Sequence, residues 1–94
     1  MQSKSVYKVP KGKLLKISLI YDKKNNLIDK ISIMGDFFAY PEEAIESMED
    51  ELKNVHLDED SLLDKINAVI QNNNIEFIGL DAKGLTTGIL MCVK

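Results

Sequence analysis

The chain contains no arginine, no tryptophan, a single cysteine and a single histidine. Without arginine there is no guanidinium to grip a phosphate or a guanine edge bidentately. The formal charge of −3, from 12 Lys+Arg against 15 Asp+Glu, has the wrong sign for a nucleic-acid binder. One cysteine, Cys92, excludes an internal disulfide and fits a reducing cytoplasm. One His and one Cys are too few ligands for a His/Cys metal site. His56 lies between Val55 and Leu57 in a link between helices, so no Ser-His-Asp arrangement can be argued. The glycines (Gly12, Gly35, Gly79, Gly84, Gly88) form neither a P-loop nor a dinucleotide fingerprint. No apolar run approaches the ~18 residues of a membrane span. Residues 1–5 lack the apolar stretch of a signal peptide and read as a flexible lead-in. What is left is one domain with one modest core, over residues 6–94.

The patterning is clearer than the chemistry. In residues 14–21, Leu15, Ile17, Leu19 and Tyr21 share one face, with Lys16 and Ser18 on the other. Such alternation marks a half-buried strand. Residues 22–26 make a polar, Asn-containing turn, and residues 27–34 alternate again, so the two runs predict a hairpin. Val6–Val9 is a further short strand, placed at an edge because Pro10 follows it. Helices come next. Pro41 suits a first helical turn and Glu42 and Glu43 complement its dipole. Ile45, Met48 and Leu52 form its apolar stripe. A second helix is expected over residues 60–71, capped by Asp58 or Asp60, with Leu62, Leu63, Ile66, Val69 and Ile70 inward. Residues 75–78 are either extended or a bend. Asp81 caps a last helix, weakened by Gly84 and Gly88 at about 1 kcal/mol each relative to Ala. Strands grouped first and helices after mean α+β: a small antiparallel sheet of two or three strands with about three helices on one face. The other face is solvated or covered by a partner.

The chemical inventory is thin. Lys11-Gly12-Lys13 is a basic turn, either solvated or in contact with a phosphate or acidic ligand. Glu49 flanks the first helix's stripe and serves as a salt bridge or cap. Cys92 reads as a small core residue rather than a thiolate. The unusual feature is Gly35-Asp36-Phe37-Phe38, with two aromatics at a strand–helix junction ahead of Pro41-Glu42-Glu43. Either they cap the core or they face a partner.

Lys8 to Leu15, the hairpin, Ile33 to Phe38, Pro41-Glu42 and the helix with Ile45, Met48, Glu49 and Leu52 together resemble one family, the C-terminal accessory domain of lipoate–protein ligase. Its Lys-x-x-Gly-Lys-Leu entry, Gly-Asp-Phe-Phe turn and Glu- and Leu-rich first helix stand in this order. The resemblance covers residues 6–94 and is firmest over residues 8–52. The chain opens with Met and carries no catalytic domain, so the separately encoded kind is expected. The resemblance implies a non-catalytic subunit, in the cytoplasm, forming a heterodimer with a catalytic subunit that activates lipoate to lipoyl-AMP and lipoylates acceptor proteins. Lipoate, ATP and Mg are implied in that partner, with none bound by this chain alone. The family fold is similar to that of the SufE/IscU proteins, although the cysteines of a cluster scaffold are missing. An alternative is an interaction or carrier module in sulfur or iron–sulfur assembly, dependent on Cys92. Carried over by motif, Lys8 and Lys13 face the partner's adenylate, and Gly35, Asp36, Phe37, Phe38, Glu49 and Leu52 are partner-interface candidates. Asp36 is expected to cap the following turn or helix, and one of Phe37 and Phe38 to turn into the core.

Overall fold

Two antiparallel strands, β2 (Leu14–Asp22) and β3 (Leu27–Gly35), form the hairpin that their alternation predicts. The computed structural model describes residues 1–93; residue 94, the end of the expected domain, lies outside them. Leu15, Ile17, Leu19 and Tyr21 of β2 and Ile28, Ile31 and Ile33 of β3 are all buried. A bulge between Ile20 and Tyr21 lets both strands keep their apolar faces inward, two residues of β3 opposing one step of β2.

The strand at the edge is longer than expected. β1 covers Gln2–Lys8 and pairs with β2 along its whole length, from Gln2 opposite Ile20 to Lys8 opposite Leu14. Residues 2–5 are therefore not a lead-in. Short polar residues hid this strand from an apolar pattern, because its inner face carries Ser3, Ser5 and Tyr7 rather than aliphatics. Ser5 explains why this is tolerated: its hydroxyl donates to the Gly88 carbonyl at 2.7 Å, which satisfies both groups beneath the sheet.

Helix α1 (Ala44–Glu51), helix α2 (Glu59–Asn72) and helix α3 (Ala82–Met91) cover one face of the β1-β2-β3 sheet. α3 packs on β1 and β2, α1 packs on β3, and α2 lies across α1 and α3. Met48, Leu52, Leu62, Ile66, Leu85 and Ile89 meet the sheet's apolar face in one continuous core. Asp58 caps α2, accepting from the Ser61 amide at 2.8 Å, and Asp81 caps α3 through the Gly84 amide. α1 begins at Ala44, three residues past Pro41. Tyr40 is held in a strand, so residues 41–43 are used to turn the chain, and the Ala44 amide donates to the Pro41 carbonyl at 2.9 Å. The Tyr40–Pro41 peptide is cis.

The remaining elements form a second sheet of two strands. β4 (Phe38–Tyr40) pairs antiparallel with β5 (Glu76–Ile78), which resolves residues 75–78 as extended. No helix of the described residues is long and apolar enough to cross a membrane.

Gly88 lets α3 approach β2. A Cβ placed there would lie 2.7 Å from Leu15 Cδ2, and Leu15 is fully buried. Overpacking of this kind costs about 1–3 kcal/mol, against a gain of about 1 kcal/mol in helix propensity. Gly88→Ala is expected to lower the urea midpoint; a raised midpoint would show that Leu15 yields.

Candidate partner-docking site

Three loops meet at one corner of the domain. The β1–β2 loop is closed by the Gly12 amide donating to the Val9 carbonyl at 2.8 Å and the Val9 amide to the Lys13 carbonyl at 3.1 Å. The Lys13 amide then donates to the Gly79 carbonyl at 2.8 Å, which joins this loop to the segment between β5 and α3. The third loop leaves β3 at Gly35. Its φ is 152°, and a Cβ there would lie 2.1 Å from the Leu14 carbonyl oxygen. Only glycine fits, and the Asp36 amide can then donate to that same oxygen at 3.0 Å.

The two expected cations of this corner differ in what they do. The Lys8 ammonium donates to the Gly12 and Val9 carbonyls, so it holds the loop together instead of pointing toward a ligand. Lys13 is exposed. The expected side-chain cap by Asp36 does not form on α1, whose N-cap, Glu43, makes no side-chain bond. Asp36 instead contributes its main-chain amide to the Gly35 turn.

The two aromatics separate cleanly. Phe37 packs against the core and meets Phe77 edge-on, with ring centroids 6.3 Å apart and an interplanar angle of 87°. Phe38 is 59% exposed. The β4–β5 register explains this difference: Ala39 lies opposite Phe77 on the side facing the core, and Phe38 lies opposite Ile78 on the other. Tyr40, two residues beyond Phe38, shares the outward side. Phe38, Tyr40 and Ile78 thus form a contiguous outward apolar face, all about half exposed or more. Tyr40 and Ile78 were missed in the sequence. The signal was the i, i+2 spacing of Phe38 and Tyr40, which becomes meaningful once residues 38–40 are recognised as a strand.

The last two candidates do not join this surface. Glu49 reaches sideways from α1, and its Oε2 accepts the Ile33 amide of β3 at 2.7 Å. That bond occupies an outward amide of an edge strand and is a cap of a kind not foreseen from helix periodicity. Leu52 is fully buried in the core and offers nothing to a partner; its place in the apolar stripe already requires this.

The groups available for chemistry are few. Cys92 is buried, with Sγ 3.4 Å from Ser5 Oγ, and burial pushes its thiol pKa up. His56 is exposed and its backbone bridges to Leu27. Among the described residues no group of three or more His, Cys, Asp or Glu side chains could hold a metal ion.

Known proteins resemble this chain in sequence and in fold. The profile of a family described as the bacterial lipoate protein ligase C-terminus matches residues 8–86. A Thermoplasma acidophilum protein named lipoate-protein ligase A subunit 2 is 39% identical over 72 residues, which is 77% of this chain and 66% of that protein. The match thus spans just under two thirds of that relative's length. Among solved structures, the fold is similar to a chain from a bi-partite lipoate protein ligase and its E2 lipoyl domain, also from Thermoplasma acidophilum. The TM-score is 0.79 and the identity 28%, over 95% of this chain and 94% of that one.

The split between the aromatics can be read in stability. Phe37→Ala is expected to destabilise the domain by about 1–3 kcal/mol, and Phe38→Ala to stay within about 0.5 kcal/mol of the parent in urea unfolding. Equal losses would place both rings in the core. Glu49→Ala strands the Ile33 amide and is expected to cost about 1–3 kcal/mol. Glu49→Gln, which keeps an acceptor oxygen, should recover most of that loss in the same assay.

Proposed function

The chain belongs to the bacterial lipoate protein ligase C-terminus family, and from that premise we propose that it is the accessory subunit of a two-component lipoate–protein ligase. It acts with a separate catalytic subunit that activates lipoate with ATP to lipoyl-AMP and passes the lipoyl group to acceptor proteins. Lipoate, ATP and Mg belong to that partner's site, and the pair works as a heterodimer in the cytoplasm. The observation that carries this reading is the outward face of Phe38, Tyr40 and Ile78 on a short sheet whose other side is fixed to the core. Aromatic side chains at the centre of an interface supply much of the binding free energy. Held by backbone pairing, this face loses little conformational freedom on docking.

The position of that face supports a role in the reaction. The Gly35 turn connects it to the corner formed by the entry loop and Gly79. A partner that covers the aromatics therefore also meets Lys13, the exposed cation of the carried-over pair. Docking closes the catalytic subunit's site, excludes water from the mixed anhydride and orients the reactants. In this proposal the lysine meets the phosphate side of the adenylate. The iron–sulfur carrier alternative draws no support from Cys92, because a buried thiol with a raised pKa is a poor nucleophile and metal ligand.

The test is reconstitution. This chain alone is expected to form no lipoyl-AMP, and mixing it with the cognate catalytic subunit should restore formation from lipoate and ATP. A catalytic subunit equally active without it sinks the proposal. Phe38→Ala is expected to weaken the complex by about 2 kcal/mol or more in calorimetry, with the fold unchanged. Affinity equal to the parent's would place the docking face elsewhere.

A further inference from the structure

The two outer edges of the three-stranded sheet are treated differently. At the β3 edge, Glu49 accepts the Ile33 amide at 2.7 Å. Further along that edge, the Ile28 amide donates to Val55 at 3.0 Å and the Ile28 carbonyl accepts from Asn54 at 2.7 Å. A helix side chain and an inter-helix link therefore occupy main-chain groups of that edge. Among the described residues the β1 edge has no such cover. Met1 and Tyr21 exchange both main-chain bonds at 2.8 Å, and at the far end the Val9 amide donates to Lys13 at 3.1 Å. With the register running in step between these points, the odd-numbered residues of β1 face β2. The amides and carbonyls of Gln2, Lys4, Val6 and Lys8 point away from the sheet, and no group among the described residues is seen to bond them. Such an edge is a template for another strand.

The surroundings select what kind of strand. On the open face, successive rows across β1, β2 and β3 are Gln2-Ile20-Lys30, Lys4-Ser18-Ser32 and Val6-Lys16-Met34, followed by Lys8 beside Leu14. These rows carry lysines and no carboxylate, in a chain whose net charge is negative. A depression of about 360 Å³ lies on this face, lined by Lys4, Val6, Lys16 and Met34 among others. On the opposite side of β1, a groove of about 270 Å³ opens between Tyr7 and the Lys83 and Thr87 side of α3. Each face of β1 is thus bordered by a hollow. A second copy of this chain offers this edge no carboxylate, and antiparallel self-pairing centred on Val6 sets Lys4 opposite Lys8 of the other copy, like charges that are destabilising when directly opposite.

We propose that the outer edge of β1 takes up, as a fourth strand, an extended segment of a partner protein bearing carboxylates at alternate positions. Backbone bonds to Lys4, Val6 and Lys8 supply the pairing. An acidic side chain opposite Lys4 and an apolar one opposite Val6 set the register; a second carboxylate opposite Lys8 feels that residue's charge, while the Lys8 ammonium keeps its bonds to the Val9 and Gly12 carbonyls. This surface is separate from the Phe38 face, and its test needs no catalytic subunit.

The probe is an end-blocked peptide of seven residues, with glutamate, valine and glutamate at its second, fourth and sixth positions and threonine elsewhere. In titrations followed by NMR with the full chain, saturable shifts are expected along β1. Hydrogen exchange of the Lys4, Val6 and Lys8 amides should slow by about tenfold or more at saturation. A peptide with lysine in place of both glutamates should give neither effect. Val6→Pro removes an amide that faces away from β2, so the ladder survives, and peptide affinity should fall roughly tenfold or more. Should that variant fail to fold, Lys4→Glu serves: it should weaken the glutamate peptide and strengthen the lysine one. Equal binding of the two peptides overturns the proposal, as does an absence of saturable shifts. So does protection of these amides in a concentration-dependent dimer without peptide.

Discussion

The pairing of β4 with β5 ties residues 38–40 to residues 76–78, across nearly half of the chain. It is short, but it lies where the hairpin half of the domain passes into the helical half. Only with β5 alongside does the segment after Gly35 become a strand, and only a strand gives alternate residues opposite faces. Phe37 then lies beside Phe77 in the core, and Phe38, Tyr40 and Ile78 are left outside. The Gly35 turn sets the starting point. Because its backbone approaches the Leu14 carbonyl too closely for any Cβ, the exit from β3 can take one path.

Polar groups close the parts of the fold that aliphatic burial leaves open. Ser5 satisfies the Gly88 carbonyl under β1, Glu49 satisfies the Ile33 amide beside β3, and the Lys8 ammonium draws the entry loop together. Each reaches between elements distant in the chain or across a turn, so each joins secondary structure to tertiary packing. Charge is divided by the same architecture. The carboxylates of α1 and α2 lie on the helical side, and lysines line the bare face of the three-stranded sheet. The domain therefore offers two unlike surfaces, one aromatic and one cationic.

Much of the fold was legible in the residues because its signals are local. The hairpin follows from alternation, α2 from its stripe and Asp58 cap, and α3 from Asp81 despite two helical glycines. Those glycines proved to be places where α3 lies close against Val9 and Leu15, a reason invisible to helix propensity. Where the reading failed, the signal was not local. Residues 2–5 look like a tail because Ser and Lys carry no strand pattern, and they become a strand because β2 presents an unpaired edge. Pro41 looks like a helix start, but Tyr40 is committed to β4 and the chain must turn before α1 can begin.

The candidate site divides along the same line. That Gly35 to Phe38 is unusual and that Cys92 is a core residue could be read from residue types and their order, whereas Lys8 and Lys13 were named only through the family resemblance. Which aromatic faces outward, which lysine is already engaged and that Tyr40 and Ile78 complete the surface were decided by tertiary structure alone. The physical reason is that a side chain's direction in a short strand depends on register with a partner strand some forty residues away, and no local pattern encodes that register.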